Sequence, residues 1–266
     1  MKKVLLSLVL SVILFNVLLP LSFAEEEKEE EKLIPDSAMD ISKDNTYPNP
    51  SQDLPKLHPS DLASELLDST EITIENPELI KMFNESAIQG SKLAIGMNIS
   101  IYLGQWPLVY ESEESKINWD FEKVNTNVLD NRGGNEGKRI NYNQEQQKRI
   151  KGGLTAEIPN ADMVQKMMLM KATEKMKLPL SFSTVIGYGT KTDRVYNISP
   201  KMVGYLTAFA PAVNEKGKVT YGEVYLRVKG DKKWLEVKNV TQQGIGAWIP
   251  IQDYVNLKVQ TSKQPK

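Results

Sequence analysis

The sequence predicts a β-rich α+β protein, in which antiparallel sheets with hairpins and a meander accompany one long methionine-rich helix and shorter helices. Three observations predict this fold. Apolar and polar residues alternate over many short stretches, which is the pattern of half-buried strands. One long stretch, Asn160–Lys177, has helical character instead. An apolar N-terminus and an acidic stretch precede the region that can fold.

The N-terminal residues 1–24 have the layout of a secretory signal peptide. Two lysines precede an apolar run from Val4 to Leu21, and Ser22 and Ala24 supply the small residues of a cleavage site after Ala24. A retained membrane anchor is the alternative, because an apolar run of about 18 residues approaches the length needed to span a bilayer. Either outcome predicts an extracytoplasmic protein, secreted or associated with the envelope, whose membrane contact is limited to an uncleaved signal.

Residues 25–56 carry ten acidic residues, four basic residues and four prolines. This composition predicts a disordered acidic spacer. The globular domain is then residues 57–266, with possible halves at 57–158 and 159–266. The formal net charge of the whole chain is −1, with +2 in the signal and −6 in the spacer. The net charge of the domain is therefore +3. That excess is too small for a nucleic-acid-binding protein.

The first elements of the domain are two short helices. Ser60 is a suitable N-cap for a helix to Leu67, and Asn76-Pro77-Glu78 supplies the N-cap and first turn of a helix to Glu85.

Strand patterns begin at Lys92–Leu103, after which Gly104-Gln105 predicts a turn into the next strand. The alternation reverses phase at Lys123, which predicts a β-bulge. Asp130–Lys138 is a loop, and an extended region follows to Ile158. The later strand-like stretches are Leu178–Gly189, Arg194–Ile198, Lys201–Val213, Val219–Lys229, Lys233–Val240 and, after Gly244–Ile251, Leu257–Gln260.

The helix Asn160–Lys177 is expected to begin with Asn160 as its N-cap. Its methionines form a broad apolar surface, which favours packing in the core. A Cu(I) site and a methionine-lined groove for a partner are the alternatives.

A hairpin turn at Gly230-Asp231 predicts a specific strand register. It pairs Arg227 with Trp234, Leu226 with Leu235, Tyr225 with Glu236, Val224 with Val237 and Glu223 with Lys238. A second turn at Asn214–Lys218 would complete a three-stranded meander and place Leu206 beside Leu226.

The meander would gather aromatic and charged residues on one face. They are Tyr205, Phe209, Tyr221, Glu223, Tyr225, Arg227, Trp234, Glu236 and Lys238. This face is either half covered by another element or an open platform, on which rings stack against a flat ligand while Glu223 and Arg227 orient it. We take the first seven of these residues as the candidate ligand-binding set.

Residues suited to catalysis are scarce. The chain has no cysteine and one histidine, His58, so thiolate, imidazole and histidine-based zinc chemistry are excluded. Gly133–Arg139 lacks the spacing of a phosphate-binding loop. The sequence therefore predicts no catalytic residue, cofactor or metal site. The alternative is a glycan hydrolase or lyase that uses carboxylates such as Asp120, Glu122 or Glu223.

Five segments carry a resemblance to a known family. They are Asn45–Leu57, Ile101–Ser112, Pro211–Lys218, Lys218–Leu226 and Lys238–Asp253. The chain resembles the YfkD-like family of Bacillus-type bacteria, and this resemblance implies a small exported protein without an assigned activity. We therefore expect a non-enzymatic binding or accessory component at the cell surface, whose partner is a cell-wall polymer or another envelope protein.

Overall fold

A computed structural model describes residues 34–51, 57–86 and 98–265. The helices in these ranges are α1 (Asp61–Leu67), α2 (Pro77–Glu85) and α3 (Ala161–Met176). The strands are β1 (Ala38–Asp40), β2 (Asn98–Asp130), β3 (Lys138–Asn143), β4 (Lys148–Lys151), β5 (Gly153–Leu154), β6 (Ser183–Ile186), β7 (Lys191–Ile198), β8 (Val203–Lys229), β9 (Lys232–Pro250) and β10 (Tyr254–Ser262).

The main sheet is built around β8. One edge of β8 pairs with β2 along almost its whole length, while the other edge pairs first with β10 and then with β9. β1 extends the sheet beyond β10, and β5 extends it beyond β9. β3 with β7 and β4 with β6 form two small sheets. All these pairings are antiparallel, which confirms the predicted β-rich antiparallel architecture.

The predicted turn at Asn214–Lys218 is wrong, because β8 runs through this segment without interruption. Lys216, at its centre, lies between Glu114 of β2 and Gly246 of β9. Two neighbouring strands therefore satisfy the backbone groups that a turn would leave to solvent. Gly217 serves close strand packing: a Cβ on this residue would lie 2.1 Å from the carbonyl oxygen of Glu111.

The predicted turn at Gly104-Gln105 is also absent. Gly104 adopts a φ of +113° inside β2, where a β-bulge shifts the register between Tyr102 and Gly104. The bulge predicted near Lys123 is confirmed, since the register shifts between Lys123 and Asn125. These irregularities twist a very long strand and protect the edge that it exposes.

The acidic segment is folded over much of the length that was predicted to be disordered. Ile41 is fully buried, and β1 pairs with β10. The side-chain amides of Asn45 and Asn49 donate to the carboxylate of Asp253 at 2.7 and 2.8 Å. Hydrogen bonds from polar side chains thus fix a segment with few apolar residues. The predicted signal peptide, residues 25–33 and 52–56 of the predicted spacer, and the start of the predicted strand Lys92–Leu103 lie outside the described residues.

Both short helices begin as predicted. The Ser60 hydroxyl accepts the backbone N–H of Ala63, and the Asn76 side chain accepts the N–H of Glu78. At α3, Asn160 occupies the N-cap position but has left-handed backbone angles, and its side chain makes no capping hydrogen bond. The helix instead packs against β2, β8 and β9 through a buried set of residues: Val164, Met167, Met168, Leu169, Ala172 and Met176.

Two apolar cores flank the ends of β8. The first core contains Leu206 and Ala208 of β8, packed with β10 and the two small sheets. The second core contains Val224 and Leu226 of β8, packed with α1, α2 and β9. The possible halves 57–158 and 159–266 are not separate, because β2 and β8 pair across that boundary. The described residues from Asp36 onward form one compact unit.

Candidate binding face

The register of the β8–β9 hairpin is confirmed at all five predicted pairs, from Arg227 opposite Trp234 to Glu223 opposite Lys238. The Gly230 backbone has a φ of +65°, which a two-residue hairpin turn requires and glycine supplies without strain. Local turn chemistry and cross-strand pairing therefore predicted this end of the sheet correctly.

The candidate set is nevertheless divided between two ends of β8. Tyr205 and Phe209 lie where β8 pairs with β10. The ammonium group of Lys258 lies 5.7 Å from the centre of the Phe209 ring. Because β8 is continuous, Tyr205 and Tyr225 are separated by about 20 residues of extended chain, which corresponds to roughly 60 Å along the strand.

Tyr221 does not lie on an open surface either. It is 3% exposed, and its hydroxyl donates to the carbonyl oxygen of Pro159 at 2.9 Å, next to the start of α3. Burial raises its pKa. The interpretation that another element covers the rings therefore holds at Tyr221.

The remaining candidates lie together on one face where β2, β8 and β9 run side by side, and we call it the open face. Alternate residues of the three strands form four rows across it: Asn98, Lys229 and Lys232; Ser100, Arg227 and Trp234; Tyr102, Tyr225 and Glu236; Gln105, Glu223 and Lys238. The second core supports the opposite side of the sheet here. The strands thus hold the open face rigidly while its side chains face outward.

A pair of tyrosines lies at the centre of the open face. The rings of Tyr102 and Tyr225 are 5.1 Å apart and inclined at 42°, and Tyr102 is 55% exposed. The Tyr225 hydroxyl donates to Glu223 at 2.8 Å. This hydrogen bond is the main cause that raises the pKa of Tyr225, followed by burial and the charge of Glu223. The Lys238 ammonium group lies 5.3 Å from the Tyr225 ring centre.

An ion-pair network borders the tyrosines. Glu236 accepts a hydrogen bond from Arg227 and lies 3.3 Å from the ammonium group of Lys238. The hydrogen bond from Arg227 is the main cause that lowers the pKa of Glu236, so this carboxylate remains ionised at neutral pH. The network fixes the positions of charged groups beside an exposed aromatic surface, which suits recognition of a flat or extended ligand.

The carboxylates that are candidate catalytic residues for a glycan hydrolase or lyase bind different partners. Asp120 accepts the Asn256 amide at 2.9 Å and pairs with Lys258, whereas Glu122 pairs with Lys148 at 2.9 Å. Asp120 lies in an irregular stretch of β2 opposite Pro211, which has no N–H to donate to the ladder. Glu223 lies on the open face. The three acids do not share one described pocket.

The methionines of α3 are mostly in the core, with Met167 and Met168 buried. Met167 and Met170 also line a groove of about 470 Å³ beside the two short helices. Among the described residues, no group of three or more histidine, cysteine or acidic side chains is placed to hold a metal ion. No helix within the described ranges is both long and apolar enough to cross a membrane.

The sequence profile of the family described as YfkD-like protein matches residues 35–266. The chain belongs to the YfkD-like family. It is similar to the uncharacterized protein YfkD of Bacillus subtilis (strain 168), with 60% identity over 233 residues that cover 88% of each chain. The solved structure of an aerolysin-like protein from Bombina maxima matches with a TM-score of 0.15 and 10% identity, covering 63% of this chain and 99% of that chain. This structural likeness is too low to support an inference.

Tyr102 is the main residue of the open face that the sequence analysis missed. The apolar residues of the surrounding stretch occupy odd positions, so Tyr102 lies on the polar side of a predicted strand. A tyrosine on the polar side of a strand indicates a surface that could bind a ligand, so the sequence did contain a signal for this residue. Its partner could not be found, because β2 and β8 are joined by more than 70 residues of intervening chain.

Proposed function

We propose that this YfkD-like protein is an exported, non-enzymatic binding component of the cell envelope, and that its open face binds a cell-wall polymer. The observation that carries the proposal is the pair of exposed Tyr102 and half-buried Tyr225, held on a rigid sheet and bordered by the Arg227–Glu236 ion pair. Tyrosine rings offer apolar area at a low cost in conformational entropy, and their hydroxyls and charged neighbours orient a ligand.

The location part of the proposal rests on the N-terminal sequence. Residues 1–24 combine a basic start, an apolar run and small residues before Ala24. A polymer outside the cytoplasm is then the ligand that the chain meets at high local concentration. Its repeated units could contact an open surface without a deep pocket.

The test is co-sedimentation of the protein from residue 25 onward with purified cell walls. We expect the variant Tyr102→Ala, Tyr225→Ala to bind at least tenfold more weakly than the intact sequence, because stacking is worth about 1 kcal/mol or more per ring. The matched control is Tyr205→Ala, Phe209→Ala, which removes two aromatic rings at the other end of β8 and should leave binding unchanged.

Three results would contradict the proposal. The intact protein could fail to pellet with walls, the Tyr102 and Tyr225 variant could pellet as well as the intact protein, or both variants could lose binding equally. Thermal unfolding of each variant shows whether any loss of binding reflects a loss of fold. Capture of another envelope protein in place of the wall would assign the face to a protein partner.

A further inference from the structure

The charges of the open face are unevenly distributed. Its cations are Arg227, Lys229, Lys232 and Lys238, and its anions are Glu223 and Glu236, which gives a net charge of +2. Glu236 is engaged by Arg227 and Lys238, and Glu223 accepts the hydrogen bond of Tyr225. Both carboxylates are therefore already engaged by other residues of the open face.

Lys229 and Lys232 form the row at the end of the hairpin, directly opposite one another. Neither residue forms an ion pair with any residue that the structure describes. Both are exposed, so their ammonium groups are accessible to a ligand. Asp231 belongs to the turn between them.

Lys229 and Lys232 lie on the side of the sheet that α1 leaves uncovered. On the other side, α1 contacts β9 and packs through Ala63 and Leu66 into the second core. The helix carries Asp61 and Glu65 and no basic residue. An extended anion would therefore reach the open face without displacing α1, and the cations there would attract it.

We propose that the ligand of the open face is an anionic polymer that carries repeated phosphodiester groups. This inference rests on the proposed function and specifies its ligand class. The tyrosine pair contacts the carbon surface of a sugar or polyol unit, while Lys229 and Lys232 bind phosphate oxygens. A neutral glycan would use the rings but leave the two lysines without a counter-charge.

The two lysines and the tyrosine pair are close enough along the strands for one extended polymer chain to contact both. Alternate residues of a strand are roughly 7 Å apart, so the row of Lys229 and Lys232 lies roughly 14 Å from the row of Tyr102 and Tyr225. Arg227 lies in the intervening row, engaged with Glu236. A chain crossing the rows along the strand direction meets cations before it reaches the rings.

The experiment compares walls that retain phosphodiester-linked polymers with walls from which these polymers have been removed chemically. We expect removal to abolish most of the binding of the intact protein. The variant Lys229→Gln, Lys232→Gln should bind intact walls roughly thirtyfold more weakly and show a smaller salt dependence, since each lysine near an anionic surface contributes about 1 kcal/mol. The control Lys151→Gln, Lys191→Gln changes two exposed lysines elsewhere and should bind normally.

The outcomes separate this inference from the proposed function. Equal binding to both wall preparations, with loss only in the Tyr102 and Tyr225 variant, would overturn the phosphodiester ligand and leave the proposed function standing. No binding to either wall would overturn both. Binding to vesicles that contain anionic lipid, dependent on Lys229 and Lys232 and absent with walls, would assign the charge to a lipid surface and also overturn the inference.

Discussion

Gly217→Ala is expected to destabilise the protein by about 3 kcal/mol, near the upper end of typical overpacking costs. The added Cβ would lie 2.1 Å from the Glu111 carbonyl oxygen and 2.6 Å from the Tyr110 hydroxyl oxygen. A backbone oxygen within a paired ladder cannot move away without breaking hydrogen bonds. The free energy of unfolding from a urea titration measures this cost.

Gly244→Ala is the matched control for that prediction. Gly244 pairs across the strands with Lys218, next to Gly217, yet the nearest atom to its added Cβ is 4.0 Å away. We expect a change within about 0.5 kcal/mol, since surface substitutions away from special features have small effects. Equal and small effects for Gly217→Ala and Gly244→Ala would indicate that β8 is not packed against β2 at this point.

Glu215→Leu is expected to cost about 3 kcal/mol through a different mechanism. Glu215 is fully buried in β8, and it accepts hydrogen bonds from Tyr110 at 2.9 Å and Ser115 at 2.5 Å. Burial, and then the charge of Glu215, hold the pKa of Tyr110 well above its ordinary value. The Tyr110 hydroxyl thus stays protonated and remains a donor. Removing the acceptor leaves this buried hydroxyl without a partner, and that loss is costly.

A double-mutant cycle tests this explanation. Replacing both partners with apolar groups can be nearly neutral, so Tyr110→Phe added to Glu215→Leu should recover about 1 to 2 kcal/mol. The conservative variant Glu215→Gln keeps a side-chain acceptor and should be less destabilised than Glu215→Leu. If the effects of Glu215→Leu and Tyr110→Phe were simply additive, the hydrogen bond would not be the source of the loss.

Local signals predicted the elements that depend on local chemistry. The N-caps of the two short helices follow from Ser60 and Asn76, whose side chains satisfy backbone N–H groups within three residues. The hairpin register follows from the Gly230-Asp231 turn, from apolar pairs on one face, and from a cation–ring pair and an opposite-charge pair on the other. These interactions can be inferred from neighbouring residues alone.

The errors arise where distant strands decide the conformation. Asn214–Lys218 has the composition of a turn, but β2, which lies about 100 residues earlier, and β9, which lies about 30 residues later, keep it extended. The glycine at position 217 signals close strand contact there rather than chain reversal. The sequence analysis therefore grouped Tyr205 and Phe209 with Tyr225 by mistake.

The folded part of the acidic segment shows a second limit of composition-based prediction. Few apolar residues occur between Ser37 and Ser51, which favours disorder on average. Ile41 alone is fully buried there, and Asn45 and Asn49 bind backbone and side-chain groups of the domain. Such specific hydrogen bonds depend on a tertiary surface that composition does not describe.

The continuity of β8 decides which aromatic residues can share a ligand, and one distance measures it. Because the chain has no cysteine, Thr207→Cys and Glu223→Cys can both carry a spin label without background labelling. Pulsed electron paramagnetic resonance should give a label separation of roughly 40 to 55 Å, since 16 residues of strand lie between these positions. A hairpin at Asn214–Lys218 would bring the two strands side by side, so a separation below roughly 20 Å would contradict a continuous β8 and the open face derived from it.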